Sequence, residues 1–285
     1  MAGRKGSSEN AGYQSSPSAL RKKSTTSPSY RNYQKLQKRV DELEARNQDL
    51  EKMLRKVSGE LDALKARNAE MLSSYALTVY RLAVASEYMD KSIRRHIMRM
   101  GKYSAALASI AGFSSEDVAA IELAAPMHDI GKAAVPNEIL MKTGRLSVDE
   151  FALVKLHTVT GGNMLADSDS KTLNLARKIA LTHHEKWNGT GYPVGLKKTK
   201  IPLIGRIVGI VDTFDVLTSP RPHKDAYPIE VAVDIICDSR GKQFDPSLVD
   251  CFHDNVDTLI RIKAGIDRPE NLPTYNFVFS ERDRN

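Results

Sequence analysis

The sequence predicts an all-α protein in which a helical bundle follows a parallel, dimeric coiled coil. Three observations predict it: an unbroken heptad seam from Leu36 to Tyr75, a later run of segments whose apolar residues recur at helical spacing, and cap or glycine signals at their ends. With 285 residues, 41% of them hydrophobic, the chain has room for one sizeable domain and an appendage.

Residues 1–30 are rich in Ser, Thr, Lys and Gly and nearly lack large apolar side chains, a composition that favours disorder. They supply +4 of the formal net charge of +7, so the basic balance belongs to an arm and gives no reason to expect nucleic-acid binding. Cys237 and Cys251 are too few to staple a fold and are expected to be reduced, in a cytoplasmic protein. Apolar runs fall short of the roughly 18 residues of a membrane span, PLIGRIVGIV being interrupted by Arg206.

Residues 31–75 form the coil. Leu36, Val40, Leu43, Asn47, Leu50, Leu54, Val57, Leu61, Leu64, Asn68, Met71 and Tyr75 follow at alternating steps of four and three. Leucine dominates the d positions, and Asn47 and Asn68 fall at a, where a buried amide favours a parallel dimer in register. Arg39 with Glu44, Arg46 with Glu51 and Glu60 with Lys65 are oppositely charged g-to-e pairs that a parallel partner would bring together.

The compact domain is expected over residues 76–265, with an irregular tail over 266–285. SYALTVYRLAVASEYMD and SIRRHIMRMGKYSAALASIAGF read as helices, and Gly112 ends the second. Ser115 is the expected N-cap of a helix running up to His128-Asp129. Ser147 and Glu150 form a capping box ahead of the helix that carries His157. LARKIALTHHEKW is a helix closed by His183, His184 and Glu185, and the turn GTGYP follows. RIVGIVD fits a buried strand as well as a helix, and its periodicity does not decide between them. PIEVAVDIICDSRG is a further helix, ahead of GKQFDPSLVDCFHDNVDTLIRI.

The candidates for chemistry are His96, His128, Asp129, His157, His183, His184 and Asp212. Adjacent helical side chains point about 100° apart, so His183 and His184 can flank one cavity without sharing a line of sight, which suits more than one metal ion. Imidazole and carboxylate without thiolate suit iron, manganese, nickel or zinc, and the lack of a nearby cysteine weighs against a structural zinc cage. Asp212 lies in an apolar segment and must be paired, protonated or metal-bound.

HDIGK, HHExxxGxGYP and DxxDxLTSxRP stand in that order in the chain. Over roughly residues 83–252 this combination resembles the HD-GYP family, phosphodiesterases of bacterial cyclic di-GMP within the HD metal-hydrolase superfamily. The resemblance implies an HD-domain bundle that holds two divalent ions, iron or manganese first and nickel or zinc as alternatives. Its metal ligands would be His96, His128, Asp129, His157, His183, His184 and Asp212, with Asp129 bridging and catalytic. Lys132 would face substrate phosphate and stabilise charge, Tyr192 would belong to the substrate site, and Arg221 and Lys224 would grip the dinucleotide. Glu185 is expected to support a histidine. The implied reaction opens cyclic di-GMP to pGpG, and onward to GMP, through a hydroxide activated by two metals; the partners implied are the substrate, a parallel second copy, and proteins at the GYP loop.

Two departures matter. Where some relatives carry a glutamate four residues before the first histidine, this chain has Ser92, so two metals are expected rather than three. It also reads Arg221-Pro222-His223 where relatives often read RPY, which removes an aromatic contact. Two other readings stand beside the leading one: a cyclic di-GMP receptor or scaffold with negligible turnover, and an HD hydrolase of another nucleotide, cyclic dinucleotides included.

Overall fold

The computed structural model describes residues 27–86, 91–220 and 225–268, with the backbone alone at 91 and 92. Most of the N-terminal arm, the side chain of Ser92, the positions Arg221, His223 and Lys224, and residues 269–285 lie outside the described residues. Among those described, the regular structure is helical, and the pairing of Arg240 with Phe244 is an isolated bridge rather than a strand. The chain divides into two compact units, residues 1–71 and 72–285.

In the first unit the helix α1, Pro28–Ser86, begins; its last turns belong to the second unit. Its large apolar residues up to Met71 are exposed, Leu36 at 66% and Leu54 at 71% among them. Charged neighbours one turn apart pair along it, Arg39 with Glu42 at 3.3 Å and Glu51 with Arg55 at 3.5 Å, but such exposed pairs add only a few tenths of a kcal/mol each. This stretch therefore draws little stability from contacts within its own chain.

In the second unit α2 (Lys91–Ile110) packs on α3 (Ser115–Ala124), α7 (Leu203–Thr218) and α10 (Val256–Ile266). Ile97, Met100, Tyr103 and Leu107 of α2 are fully buried at helical spacing. Ile207, Val208, Ile210, Val211 and Phe214 are fully buried on α7, so the segment that fits either a strand or a helix is a helix with neighbours on most sides. Phe214 joins Tyr103 and Phe252 edge to face, with ring centroids 5.9 and 5.3 Å away.

The third helix differs from expectation at both ends. Its N-cap is Ser114, whose hydroxyl accepts from the Asp117 amide at 3.1 Å. It stops at Ala124 instead of continuing to Asp129, and two 3₁₀ turns follow, Ala125–Met127 and Ile130–Ala134. Pro126 is the physical reason, since it has no N–H to donate to the fourth-neighbour carbonyl of Glu122, although Ala125 before it keeps α-helical angles. The break sets His128 and Asp129 between the two turns, with Asp129 at φ −106° and ψ 13°.

After the short α4 (Asn137–Leu140), the Ser147–Glu150 capping box is present in full and opens α5 (Val148–Met164). α5 lies against the second 3₁₀ turn and against α6 (Lys171–Thr182), which in turn packs on α3 and α7. α8 (Ile229–Asp238) and α9 (Pro246–Asp254) complete the bundle. No helix among the described residues is long and apolar enough to cross a membrane.

Candidate metal centre

Five elements deliver the seven predicted donors to one place: α2 carries His96, the link between the 3₁₀ turns His128 and Asp129, α5 His157, the end of α6 His183 and His184, and α7 Asp212. They fall into two groups, within each of which the donor atoms lie within 4.8 Å of one another: Asp129, His157, His183 and His184 in one, His96, His128 and Asp212 in the other. Asp129 stands between them. Its Oδ1 is 3.1 Å from His157 Nε2 and 3.6 Å from His183 Nε2, while its Oδ2 is 3.2 Å from His128 Nε2. Lys132 Nζ also contacts that second oxygen and lines the same cavity.

The backbone selects which ring nitrogen faces inward. Nδ1 of His128, His157 and His183 lies 3.1, 2.6 and 3.0 Å from the carbonyls of Ala125, Val154 and Ile179. A carbonyl only accepts, so each Nδ1 carries the proton and each Nε2 turns a lone pair to the cavity. His96 is held differently, its Nδ1 standing 2.8 Å from Asp215 Oδ2.

Electrostatics set the charge states that ligation needs. Burial alone would raise the Asp129 carboxyl, but the neighbouring Lys132 ammonium leads the charges that outweigh it and hold it well below the usual range. Burial pushes His183 and His184 down, so both stay neutral. Asp129 Oδ1, His157 Nε2 and His183 Nε2 are buried without a hydrogen-bond partner. An orphaned buried polar atom costs roughly 1–3 kcal/mol, and here several lone pairs converge without a proton to share. Divalent cations resolve that conflict, so the residues fit a metal pair.

The cavity is about 360 Å³, within the range of small-molecule sites, and extends from Asp129 and Asp212 to Trp187, Arg206 and Gln243. Tyr192 sits at its wall with its ring 4.8 Å from that of His184. Glu185 plays another part than expected: its carboxylate accepts from the amides of Val194, Gly195 and Leu196 at 2.9, 3.0 and 2.9 Å, fastening the segment after the GYP turn, and among the described residues no hydrogen bond joins it to a histidine ring. Two residues escaped the sequence reading, Asp215 and Arg99. Their signal was their spacing, each three residues beyond a candidate ligand, Asp212 and His96.

The chain is 44% identical over 171 residues to a cyclic di-GMP phosphodiesterase of Thermotoga maritima, covering 60% of this chain and 46% of that one. It is 42% identical over 173 residues to the cyclic di-GMP phosphodiesterase response regulator RpfG of Xanthomonas campestris, covering 61% and 46%. The chain thus spans rather less than half the length of these curated relatives. A solved cyclic GMP-AMP specific phosphodiesterase of Vibrio cholerae superposes with a TM-score of 0.51 at 19% identity over 69% of this chain and 51% of that one, a likeness of fold. Residues 41–248 match the HD domain family, and with its HDIGK and GYP motifs the chain belongs to that family as an HD-GYP protein.

Proposed function

We propose that this protein is a metal-dependent phosphodiesterase that opens cyclic di-GMP to pGpG, and onward to GMP. The observation that carries the reading is the convergence of seven imidazole and carboxylate donors in two groups bridged by Asp129. His96, His128 and Asp212 would hold one ion and His157, His183 and His184 the other, with Asp129 shared. Iron and manganese suit these donors best, and nickel or zinc would also fit. When bound, such a pair supplies the Lewis acidity that lets water attack a phosphodiester already carrying negative charge.

The chain's own residues do the rest. Lys132 places an ammonium at the cavity beside Asp129, where charge develops on the phosphoryl group. Tyr192, its ring 4.8 Å from that of His184 and tilted 34° to it, would offer a flat face to a nucleobase. Arg221 and Lys224 would grip the dinucleotide, a role that rests on the family pattern. Val194, 75% exposed in the fastened GYP turn, would meet a protein partner. The exposed apolar seam of α1, with Asn47 and Asn68 inside it, supports a parallel dimer. The free cysteines suit the cytoplasm.

A second substrate reading has a specific basis, because the 3'3'-cGAMP-specific phosphodiesterase 2 of Vibrio cholerae is 37% identical over 188 residues. A panel of cyclic di-GMP, 3'3'-cGAMP and cyclic di-AMP, assayed anaerobically with iron and aerobically with manganese, separates the two. The wild type should turn over cyclic di-GMP fastest, and His128→Ala with Asp129→Ala should lose metal content and turnover together. Hydrolysis that survives in that double variant would refute the proposal.

A further inference from the structure

A chain of buried polar contacts runs outward from His96. Asp215 accepts at Oδ2 from His96 Nδ1 at 2.8 Å and from Arg99 Nη2 at 2.9 Å, while Arg99 Nε donates to its other oxygen. Arg99 continues to Asp267 Oδ1 at 2.7 Å and to Ser219 Oγ at 2.9 Å. Asp215 is 1% exposed and Arg99 3%.

Stability alone explains such a pair poorly. Well-packed apolar residues often hold a core as firmly as a buried ion pair, because desolvating two charges costs several kcal/mol. A forked guanidinium on a carboxylate fixes the plane of that carboxylate, which an apolar contact does not do. That plane determines where His96 points. The three histidines named above are oriented by backbone carbonyls of their own elements. His96 is oriented instead by a side chain on another helix, with its Nε2 turned to Asp212 Oδ1 3.8 Å away.

We propose that Asp215 and Arg99 are positioning residues for one half of the centre: they set the affinity of the metal position formed by His96, His128 and Asp212 and leave the position formed by Asp129, His157, His183 and His184 unchanged. This rests on reading the donor cluster as a two-metal centre. The helices α2 and α7 thereby tune one ion independently of the other, through a contact that reaches the surface at Asp267, 36% exposed at its side chain.

The experiment is a calorimetric titration of the metal-stripped 285-residue chain with Mn²⁺, followed by electron paramagnetic resonance at increasing loading. The wild type should show two binding events and a spin-coupled pair at full loading. Asp215→Asn should weaken one event by roughly 10–100-fold, the usual effect of losing a partner behind a ligand, and keep the other within about threefold; at equimolar metal it should give the signal of lone Mn²⁺. Arg99→Lys, which keeps the charge and loses the fork, should act in the same direction, and Asp267→Asn should change little. Two events unaltered in both Asp215→Asn and Arg99→Lys, or both events weakened together, would overturn the proposal. If Asp215→Asn does not fold by circular dichroism, Arg99→Lys decides alone. A wild type that takes up no Mn²⁺ would instead sink the metal-centre reading, so the two failures are distinguishable.

Discussion

Gly131 presses against the backbone of His157 so closely that a methyl group in its place would collide with the His157 carbonyl oxygen and the Gly161 amide. The contact clamps the 3₁₀ turn after Asp129 onto α5, and so sets the 3.1 Å approach of Asp129 Oδ1 to His157 Nε2. Neither neighbour is a flexible side chain, so relief requires the turn and the helix to part. Gly131→Ala should lower stability by about 1–3 kcal/mol, the usual cost of overpacking, and weaken metal uptake at least tenfold. Denaturant titration and metal analysis check both; a variant with full metal content at wild-type stability would show that the clamp is unnecessary.

That clamp also shows what the sequence could and could not disclose. The Ser147–Glu150 box and the helical faces follow from local chemistry, because caps and periodicity are written in neighbouring residues, whereas the roles of the seven donors came from the order of the HDIGK, HHExxxGxGYP and DxxDxLTSxRP motifs and the family they resemble. The break at Pro126 was legible in principle, yet the acidic first turn after Ser115 and the terminal Gly131 argued for one long helix. The partnership of Asp215 with Arg99 lay beyond reach: 116 residues separate them, and only the packing of α2 against α7 brings them together. Glu185 was misjudged for a related reason, since its sequence neighbours are histidines and its spatial neighbours are loop amides.

Glu185 supplies the next test. Its carboxylate, 7% exposed, takes three backbone N–H groups from Val194 to Leu196. Glutamine keeps one acceptor oxygen and turns an N–H₂ toward a donor, leaving at least one part-buried amide unsatisfied at a cost of about 1 kcal/mol. Glu185→Gln should speed hydrogen exchange at residues 194–196 by tenfold or more and raise KM while changing kcat little, because the GYP turn loosens and the ligands stay. Unchanged exchange at those amides would contradict the anchoring role.

Acid stability should report Asp215. Burial by itself would raise its pKa, but hydrogen bonds from His96 and Arg99 prevail and hold it at about 2. A folded-state pKa below the unfolded one means stability that is present above the ordinary carboxylate pKa of 3.8 and is lost as pH falls from there through about 2. The metal-free wild type should lose on the order of 2 kcal/mol across that window from this group. Asp215→Asn, with nothing to titrate there, should be less stable at neutral pH and flatter between about pH 4 and 2. Parallel acid limbs in thermal melts of the two proteins would refute the assignment.

The last prediction concerns the seam of α1. Val40, Leu50, Leu61 and Leu64 stand between 45% and 58% exposed, a stripe too narrow to serve as the face of a helix laid on a globular core and well matched to a second copy in register. Asn47 and Asn68 fall within it, also exposed. An amide at an a position loses stability relative to leucine and gains specificity, because it finds a partner only when two chains lie parallel and in register. The 285-residue chain should therefore run as a dimer by light scattering. Replacing both asparagines by leucine should raise the melting temperature of the coil and, at the same time, broaden the population into dimers and higher oligomers. A wild type that is monomeric at tens of micromolar, or a double variant that remains a uniform dimer, would remove the basis for a parallel pairing fixed by Asn47 and Asn68.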